Sequence, residues 1–414
     1  MLKSPGPFSY LSKHDMSIFI NGYCLQYHKL NKYLNLLIYL SMKNLKLFIL
    51  IVILITGCNT NDEVNPGFSN LEEEVNHLAN QYVKVGAVVG IIDQQQNRHV
   101  FTYGSKSVEN PDKPDANTVF DIGSITKTFT AILIANTYLQ MDTPDEVVDH
   151  YLPMDKVTMP VKDSVEINFL HLLTHTSGLP RSPHVTGSTF PLPEGFDGEN
   201  PYAAYTTEDV YDYLTNYCTL EFAPGTYWGY SNTGYGLLGH ILGLIHGSTY
   251  AEVLNRDIFN VLDMDNSSLF LTEEQKENMA SGHDSSLKIV PNYTASDIFQ
   301  GCGMIKSSLN DLFKYLESNM GLVDSPLQNA IMMSHQNSGI YTGSLGYIGL
   351  AWYIFELEDG QEIIYSGGDT NGHSAYIAFN KSSLTGAIIL LNASFHDNTN
   401  INFGHNLMMA INKY

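Results

Sequence analysis

Ser124 and Lys127 are the residues of this sequence whose types and spacing best suit covalent chemistry. They begin a run, 124–139, whose apolar residues cover nearly the whole circumference of a helix, which is typical of a buried helix. A serine at a helix N-terminus lies beside free backbone N–H groups and the positive dipole end, which would stabilise an oxyanion. We therefore interpret the pair as a nucleophile and its base. The alternative is a capping serine and a lysine that reaches the surface.

The Ser-x-x-Lys spacing alone is weak evidence. Ser285-Ser-Leu-Lys288 has the same spacing, but it lies in a polar run with no apolar helix behind it. The interpretation of Ser124 and Lys127 therefore depends on their buried setting, in which a lysine loses hydration unless it has a partner.

Tyr230-Ser-Asn232 is the second candidate motif, on a turn between Pro224-Gly225 and a glycine-rich helix start. A phenol near Lys127 could move a proton between the serine and a leaving group. The amide of Asn232 has donors and an acceptor suited to orienting a substrate amide and the lysine. The alternative is a turn held by Asn232 beside a packing tyrosine.

The third stretch is Ile364-Tyr365-Ser366-Gly367-Gly368-Asp369-Thr-Asn-Gly372-His373, which begins at the end of a predicted strand. Small residues there let a substrate backbone approach closely. The backbone N–H of Gly368 could form an oxyanion hole with that of Ser124. Taken alone, the stretch would be interpreted as an ordinary glycine-rich turn.

Hydrophobic periodicity predicts strands early and late in the chain and helices between them. Strands are predicted at 87–93, 99–103, 348–355, 362–366, 374–379 and 386–391. Helices are predicted at 70–82, from Ser124, at 143–152, 167–175, 207–217, 235–246 and 249–258, from Ser308, and at 402–411. This order predicts an α+β fold with one sheet lobe (about 70–120 and 345–412) and one helical lobe (about 121–344). The aperiodic segment 181–205 is interpreted as a wall or lid over the pocket.

The start of the chain has the order of a bacterial lipoprotein signal. Residues 42–57 are basic, then apolar, then small, and Cys58 follows. We expect a lipid on Cys58 to hold the protein to a membrane of the bacterial cell envelope, with 58–69 as a tether. Residues 1–41 precede a complete signal and are interpreted as a leader upstream of the true start at Met42. The alternative is a longer membrane-associated N-terminus.

Charge argues against a nucleic-acid partner. The whole chain has 21 basic and 43 acidic residues; removing 1–57, with six lysines and one aspartate, leaves 15 and 42, a net charge of −27. Such a surface repels nucleic acid.

Cysteine and histidine spacing predicts no metal site. Cys218 and Cys302 fit no zinc pattern and are either a disulfide or two free thiols. His171 and His175 are four residues apart without a third ligand, so we interpret them as packing or capping residues rather than as a metal pair.

Together these motifs resemble the serine β-lactamase and penicillin-binding-protein superfamily, and within it the class C-like β-lactamase-related hydrolases. The resemblance spans about residues 70–412 and rests on five stretches: 124–127, 172–180, 230–232, 301–308 and 365–368. It implies a β-lactamase/transpeptidase-like fold, in which helices flank an antiparallel sheet beside an all-helical lobe. It also implies a hydrolase that needs no metal or organic cofactor.

The resemblance assigns a role to each matching residue. Ser124 would be the acylated nucleophile, Lys127 its proton-accepting neighbour, Tyr230 the general base or proton shuttle, and Asn232 a ligand of substrate and lysine. Tyr365-Ser366-Gly367 occupies the place where the family has Lys-Thr-Gly or His-x-Gly, so a tyrosine replaces the usual cation. This departure puts β-lactamase activity and carboxylate recognition in question, and His373 is the candidate substitute.

The sequence thus predicts an exported, lipid-anchored serine hydrolase that forms an acyl-enzyme. Its substrate would be a small molecule or peptide: a D-residue peptide, a small ester or a β-lactam. Because of Tyr365, a peptidase or esterase is favoured over a dedicated β-lactamase. The alternatives are a non-hydrolytic lipoprotein that binds penicillin or cell-wall peptide, and a structural surface lipoprotein. No oligomeric state is predicted.

Overall fold

The structure is a computed structural model that describes residues 69–142, 146–185, 187–394 and 397–414. The expected signal segment 42–57 and Cys58 lie outside the described residues. Within the described ranges, no helix combines the length and the apolar character needed to cross a bilayer.

Twelve strands are present among the described residues. Their bounds are Gly86–Ile92 (β1), Arg98–Gly104 (β2), Val119–Asp121 (β3), Gly282–His283 (β4), Ile289–Val290 (β5), Lys306–Ser308 (β6), Ile340–Tyr341 (β7), Tyr347–Ile348 (β8), Tyr353–Glu356 (β9), Glu362–Asp369 (β10), Ser374–Asn380 (β11) and Thr385–Leu391 (β12). Eight of them form one antiparallel sheet in the order β2-β1-β12-β11-β10-β9-β8-β7. The strands β3 and β6 form a separate pair, as do β4 and β5.

The pairing of β1 with β12 in the large sheet joins strands from the two ends of the described chain. Ala87 of β1 lies opposite Leu391 of β12, and the pairing continues in register to Ile92 and Gly386. Both strands are buried along their whole length, as expected where helices cover both faces of a sheet. The predicted mixture of helices and an antiparallel sheet is confirmed.

Eleven α-helices are present among the described residues. Their bounds are Leu71–Tyr82 (α1), Thr126–Gln140 (α2), Phe169–Leu173 (α3), Thr207–Asp212 (α4), Asn232–His246 (α5), Tyr250–Leu254 (α6), Glu273–Glu277 (α7), Asp297–Gly303 (α8), Leu309–Met320 (α9), Gln328–Ser334 (α10) and Thr399–Ile411 (α11). Single π-helical turns extend α4 through Tyr217 and α6 through Phe259. Most begin at a capping side chain; Ser308, for example, accepts a hydrogen bond from the backbone N–H of Asp311.

The sheet separates two apolar cores. One face is covered by α1 and α11, where Tyr82 stacks on Phe403 with ring centroids 5.2 Å apart. The opposite face packs against α9 and, beyond it, the helical region around α2, where Phe129 stacks on Tyr315 at 3.8 Å. The active-site candidates lie where this helical region meets the end of β10.

The structure corrects one prediction of local structure and adds three helices that were not predicted, α7, α8 and α10. The helix expected at 143–152 is, in its described part, a short 3₁₀ turn, Val148–Tyr151. The helix α8 was not predicted, because its glycines have low helix propensity. It forms because glycines allow α5 to approach it closely: a Cβ on Gly239 would lie 2.9 Å from the Cα of Gly301.

Candidate active site

Ser124 lies in a 3₁₀ turn, Gly123–Ile125, that leads directly into α2. This turn is pressed against the end of β10. Gly123 has a φ of +49°, and a Cβ there would lie 2.7 Å from the backbone nitrogen of Asp369. Glycine is therefore required at 123 both for its left-handed conformation and for this close approach. The result is a serine held at the junction of helix and sheet.

Lys127 lies one turn into the helix and is only 2% exposed. Its Nζ donates hydrogen bonds to Ser124 Oγ at 3.1 Å and to the carbonyl oxygen of Cys302 at 2.5 Å. A buried amine is costly unless such acceptors satisfy it. The structure thus points the amine at the serine and does not let it reach the surface.

Tyr230 completes a three-residue group. Its hydroxyl lies 2.6 Å from Ser124 Oγ, so the phenol and the amine contact the same oxygen. The sequence prediction that these three side chains converge is therefore met in the geometry of the structure.

His175 positions the segment that carries Tyr230. Its backbone oxygen accepts from the N–H of Gly229 at 2.8 Å, and its Nδ1 accepts from the N–H of Ser231 at 3.1 Å. Burial, together with the charges of Lys127 and Arg181, holds the pKa of His175 well below its usual value of 6.5. The ring is therefore neutral at physiological pH, as its acceptor role requires.

The two histidines considered as a metal pair have separate structural roles. The His171 side chain forms a capping box with Asn168 at the start of α3. His175 packs its ring 4.4 Å from that of Tyr230. The capping and packing interpretation is confirmed for both.

Two cations face the ring of Tyr230. Lys127 Nζ and Arg181 Cζ each lie 4.9 Å from the ring centroid. Positive charges at this distance are attracted to the electron-rich face of an aromatic ring. Arg181 was not singled out from the sequence, although it begins the segment 181–205 that was interpreted as a wall.

Asn232 is the first residue of α5 and is 7% exposed. Its Nδ2 donates to the Tyr202 hydroxyl at 2.6 Å, whereas its Oδ1 is buried and has no partner. Buried acceptors are normally satisfied, so this oxygen is suited to receive a donor from a bound molecule.

The end of β10 presents a free strand edge to Ser124. The strand β9 pairs with β10 only as far as Tyr365, so Ser366, Gly367 and Gly368 have no β9 partner on that side. A Cβ on Gly368 would lie 2.0 Å from the Ile122 oxygen and 2.7 Å from the Ser124 nitrogen. Only glycine lets the strand come this close to the nucleophile's backbone, which brings together the two segments predicted to form the oxyanion hole.

The tyrosine that replaces the family's cation is buried beneath this strand edge. The Tyr365 hydroxyl donates to the Leu345 oxygen at 3.2 Å, and its ring packs against His405 at 4.8 Å. Burial raises its pKa, so it remains a neutral phenol. His373, the candidate substitute, is also buried, 3.5 Å from Asp121 and 3.1 Å from the Ala280 oxygen. Neither residue brings a positive charge to the site.

Two adjoining cavities open on either side of Ser124. One, of about 340 Å³, is lined by Arg181, Tyr202, Asn232, Tyr293, Cys302 and Asp369, among others. The other, of about 240 Å³, is lined by Lys127, Arg181, Trp228, Tyr230, Tyr353 and Ser366, among others. Arg181 and Tyr202 come from 181–205, which agrees with the wall interpretation. Tyr293 was missed, because nothing in its local sequence marks it as a site residue, whereas Asp369 lies in the third candidate stretch but was given no role there.

The cysteines Cys218 and Cys302 are free thiols in the structure. Of the two alternatives left open by the sequence, the disulfide is therefore not formed. Burial raises the pKa of Cys302 to about 11, although Lys127 and Arg181 oppose the shift. Cys302 contributes to the site through its backbone oxygen, which holds Lys127.

The chain is similar to known proteins over most of its length. A family model described as Beta-lactamase matches residues 71–402. A beta-lactamase of Pseudomonas fluorescens is 26% identical over 382 residues, covering 83% of this chain and 98% of that protein. Penicillin-binding protein 4* of Bacillus subtilis (strain 168) is 28% identical over 233 residues, covering 52% of this chain and 48% of that protein.

Solved structures share the fold. A class C beta-lactamase superposes with a TM-score of 0.67 at 22% identity, covering 82% of this chain and 96% of that chain. A beta-lactamase/D-alanine carboxypeptidase from Pseudomonas syringae superposes with a TM-score of 0.66 at 21% identity, covering 82% and 97%. At this identity the likeness establishes the architecture.

Proposed function

The chain belongs to the beta-lactamase family, a family of serine hydrolases, and from this premise we propose that it cleaves an amide or ester through an acyl-enzyme on Ser124. The observation that carries the proposal is the contact of one hydroxyl oxygen with both a phenol and a buried amine. Ser124 Oγ lies 2.6 Å from the Tyr230 hydroxyl and 3.1 Å from Lys127 Nζ. A binding protein would have no use for two proton-handling groups on one serine.

Acylation begins when Ser124 Oγ attacks the substrate carbonyl carbon. The Oγ–C bond forms while the proton of the hydroxyl is taken up by the pair of Tyr230 and Lys127, whose hydroxyl and amine both contact Ser124 Oγ. The carbonyl oxygen becomes an oxyanion, which the backbone N–H groups of Ser124 and Gly368 stabilise. These groups are already in place, so little reorganisation opposes the step.

Collapse of the tetrahedral intermediate breaks the bond to the leaving group. Tyr230 donates its proton to the departing nitrogen or oxygen and becomes a base again. A water molecule then attacks the acyl-enzyme, Tyr230 accepts its proton, and the Ser124 oxygen recovers a proton as it leaves. The cycle consumes only water, so the chemistry can proceed with the side chains of this chain alone.

We further propose a peptidase or esterase activity rather than dedicated β-lactam hydrolysis. The position that holds a Lys or His in the family is Tyr365, which is buried and neutral. A β-lactam or a peptide with a C-terminal carboxylate would not find its usual cationic partner on this strand.

A covalent label tests the proposal. The purified protein, residues 59–414, is treated with a fluorophosphonate and with a fluorescent penicillin, and the adduct is located by mass spectrometry. We expect a single adduct on Ser124, its loss in Ser124→Ala, and turnover of p-nitrophenyl esters or D-amino-acid amides in excess of nitrocefin. A stable adduct with no turnover of any of these substrates would support the non-hydrolytic binder, and no adduct would support a structural protein.

We propose that the protein is exported and held to the cell envelope by a lipid on Cys58. The support is the sequence order of residues 42–58. The measurement is the intact mass of the protein extracted from membranes, compared with that of Cys58→Ser. We expect a lipid-modified species beginning at Cys58 and its loss in the variant; a mature protein that retains residues 1–57 would contradict the proposal.

A further inference from the structure

The three arginines of this chain differ in their partners. Arg98 makes a two-point contact with the Glu317 carboxylate, and Arg256 makes one with the Asp257 carboxylate. Arg181 is exposed and has no carboxylate partner among the described residues. An arginine side chain presents a planar fork of donors that matches a carboxylate, and at Arg181 this fork is left for another molecule.

Arg181 is placed at the reacting centre. It lines both cavities beside Ser124, and its guanidinium carbon lies 4.9 Å from the Tyr230 ring centroid. Lys127, the other cation there, is buried and already donates to Ser124 and Cys302. Among the described residues that line the cleft, the guanidinium is therefore the positive charge that remains accessible to a substrate.

The backbone fixes this position. The Arg181 carbonyl oxygen accepts hydrogen bonds from the N–H of Asn232 at 2.9 Å and of Thr233 at 3.2 Å. These are the first residues of α5, so the arginine is tied to the helix that carries the unpartnered Asn232 Oδ1. Its proximity to Ser124 does not depend on a free loop.

We propose that Arg181 is the specificity residue of this cleft, and that the preferred acyl donor carries a carboxylate which Arg181 binds. The inference rests on the proposed serine hydrolase function. It assigns to Arg181 the substrate carboxylate that Tyr365 and His373 cannot bind, because Tyr365 is a buried phenol and His373 faces Asp121. Asp369 is the acidic residue that lines both cavities, and its Oδ1 accepts from the Ser374 hydroxyl.

Arg181 borders both cavities, so the carboxylate that it binds lies either in the acyl part or in the leaving group of the substrate. Two matched pairs of esters separate these cases. The first pair is mono-p-nitrophenyl adipate and p-nitrophenyl hexanoate, which differ in a terminal carboxylate on the acyl chain. The second is 4-acetoxybenzoate and 4-acetoxybenzamide, which differ in the charge of the leaving group. The readout is the ratio of kcat/KM for the anionic member to that for the neutral member.

We expect the wild-type ratio to exceed one for at least one pair, and Arg181→Gln to lower that ratio about 10- to 100-fold, the usual effect of losing a charge-assisted contact. Arg181→Lys should restore part of the ratio. Arg256→Gln is the matched control, because it removes the same charge from the net −22 of the chain at a surface pair. Its ratio should equal that of the wild type.

The outcomes separate the two proposals. Hydrolysis of the neutral esters with no preference for either anionic member overturns the role of Arg181 and leaves the hydrolase intact. An equal loss on both members in Arg181→Gln also overturns it, because a merely structural arginine would act on both alike. Failure to hydrolyse any ester, with no label on Ser124, refutes the serine hydrolase itself.

Discussion

The two halves of the cleft differ in how completely their polar groups are satisfied. In the proton-transfer half (Ser124, Lys127, Tyr230 and His175), each functional side-chain atom has a partner within the protein. In the recognition half (Arg181, Asn232 and the edge 366–368 of β10), the guanidinium has no carboxylate partner and Asn232 Oδ1 has no hydrogen-bond partner among the described residues. The first half is complete without a substrate, whereas the second leaves groups for a substrate to satisfy.

This difference indicates which half of the cleft can vary between members of one family. Groups that transfer protons must be fixed relative to one another, because small displacements cost rate. Groups that recognise substrate need only match the molecule that arrives. Here the departure from the family pattern, Tyr365, falls in the strand of the recognition half, while the residues of the proton-transfer half match the pattern.

The largest effect should come from the nucleophile. Ser124→Ala removes the attacking oxygen and its contacts with Tyr230 and Lys127, while Lys127 keeps its hydrogen bond to the Cys302 oxygen. We expect kcat to fall by at least about 10⁴-fold, measured with whichever p-nitrophenyl ester the wild type hydrolyses best. Thermal unfolding of the variant serves as the control. An active Ser124→Ala protein would show that the proton-transfer half is misassigned.

Removal of the proton shuttle should have the next largest effect. Tyr230→Phe keeps the ring that packs against His175 and removes only the hydroxyl. We expect a loss of about 10²- to 10⁴-fold in kcat. Tyr227→Phe, at an exposed tyrosine three residues earlier, is the matched control and should retain wild-type kcat. Equal activities of the two variants would contradict the role of Tyr230.

The strand edge of the recognition half can be broken by a single methyl group. In Gly368→Ala the Cβ would lie 2.0 Å from the Ile122 oxygen, so the strand must move away from Ser124. We expect kcat to fall by about 10²-fold, the cost of losing one oxyanion donor. Gly198→Ala has no atom within 4 Å of the added Cβ and should behave as the wild type. Full activity of Gly368→Ala would exclude its N–H from the oxyanion hole.

The smallest effect concerns stability and arises at His335, a buried histidine outside both halves. Burial lowers the pKa of His335 from 6.5 to about 3, so the unfolded chain takes up this proton first as the pH falls. The free energy of unfolding should drop by about 2 kcal/mol between pH 7.5 and pH 5 on account of this residue. Stability is thus full above pH 6.5 and declines below it.

Denaturant unfolding at the two pH values measures this change. His335→Gln should lose correspondingly less stability on acidification, whereas Ser124→Ala should lose as much as the wild type. A His335→Gln protein as acid-sensitive as the wild type would place the effect on other histidines.

The sequence was informative where chemistry and periodicity coincide. The helix after Ser124 was predictable because it is apolar on nearly all sides, and the strands β10, β11 and β12 because they are rich in β-branched and aromatic residues between turn signals. The helix α8 was not, since close contact between the glycines of α5 and α8 overrides weak local propensity.

Arg181 was missed for a different reason. It lies in an aperiodic segment, and its position over Tyr230 depends on hydrogen bonds to the start of α5, fifty residues further along the chain. No local pattern encodes a contact of this kind. The sequence could therefore name the residues of the proton-transfer half but only part of the recognition half.

The cleft of this protein can form only after β1 has paired with β12. Ala87 of β1 can pair only after Leu391 of β12 has been synthesised, because about three hundred residues separate the two sides of this ladder. Contacts so distant in sequence are slow to form and cannot form while the C-terminal strands are still being synthesised. Ser124 is then without its oxyanion partner Gly368 until nearly the whole chain is available. A nascent chain is therefore inactive until its C-terminal strands have been synthesised and the sheet has closed.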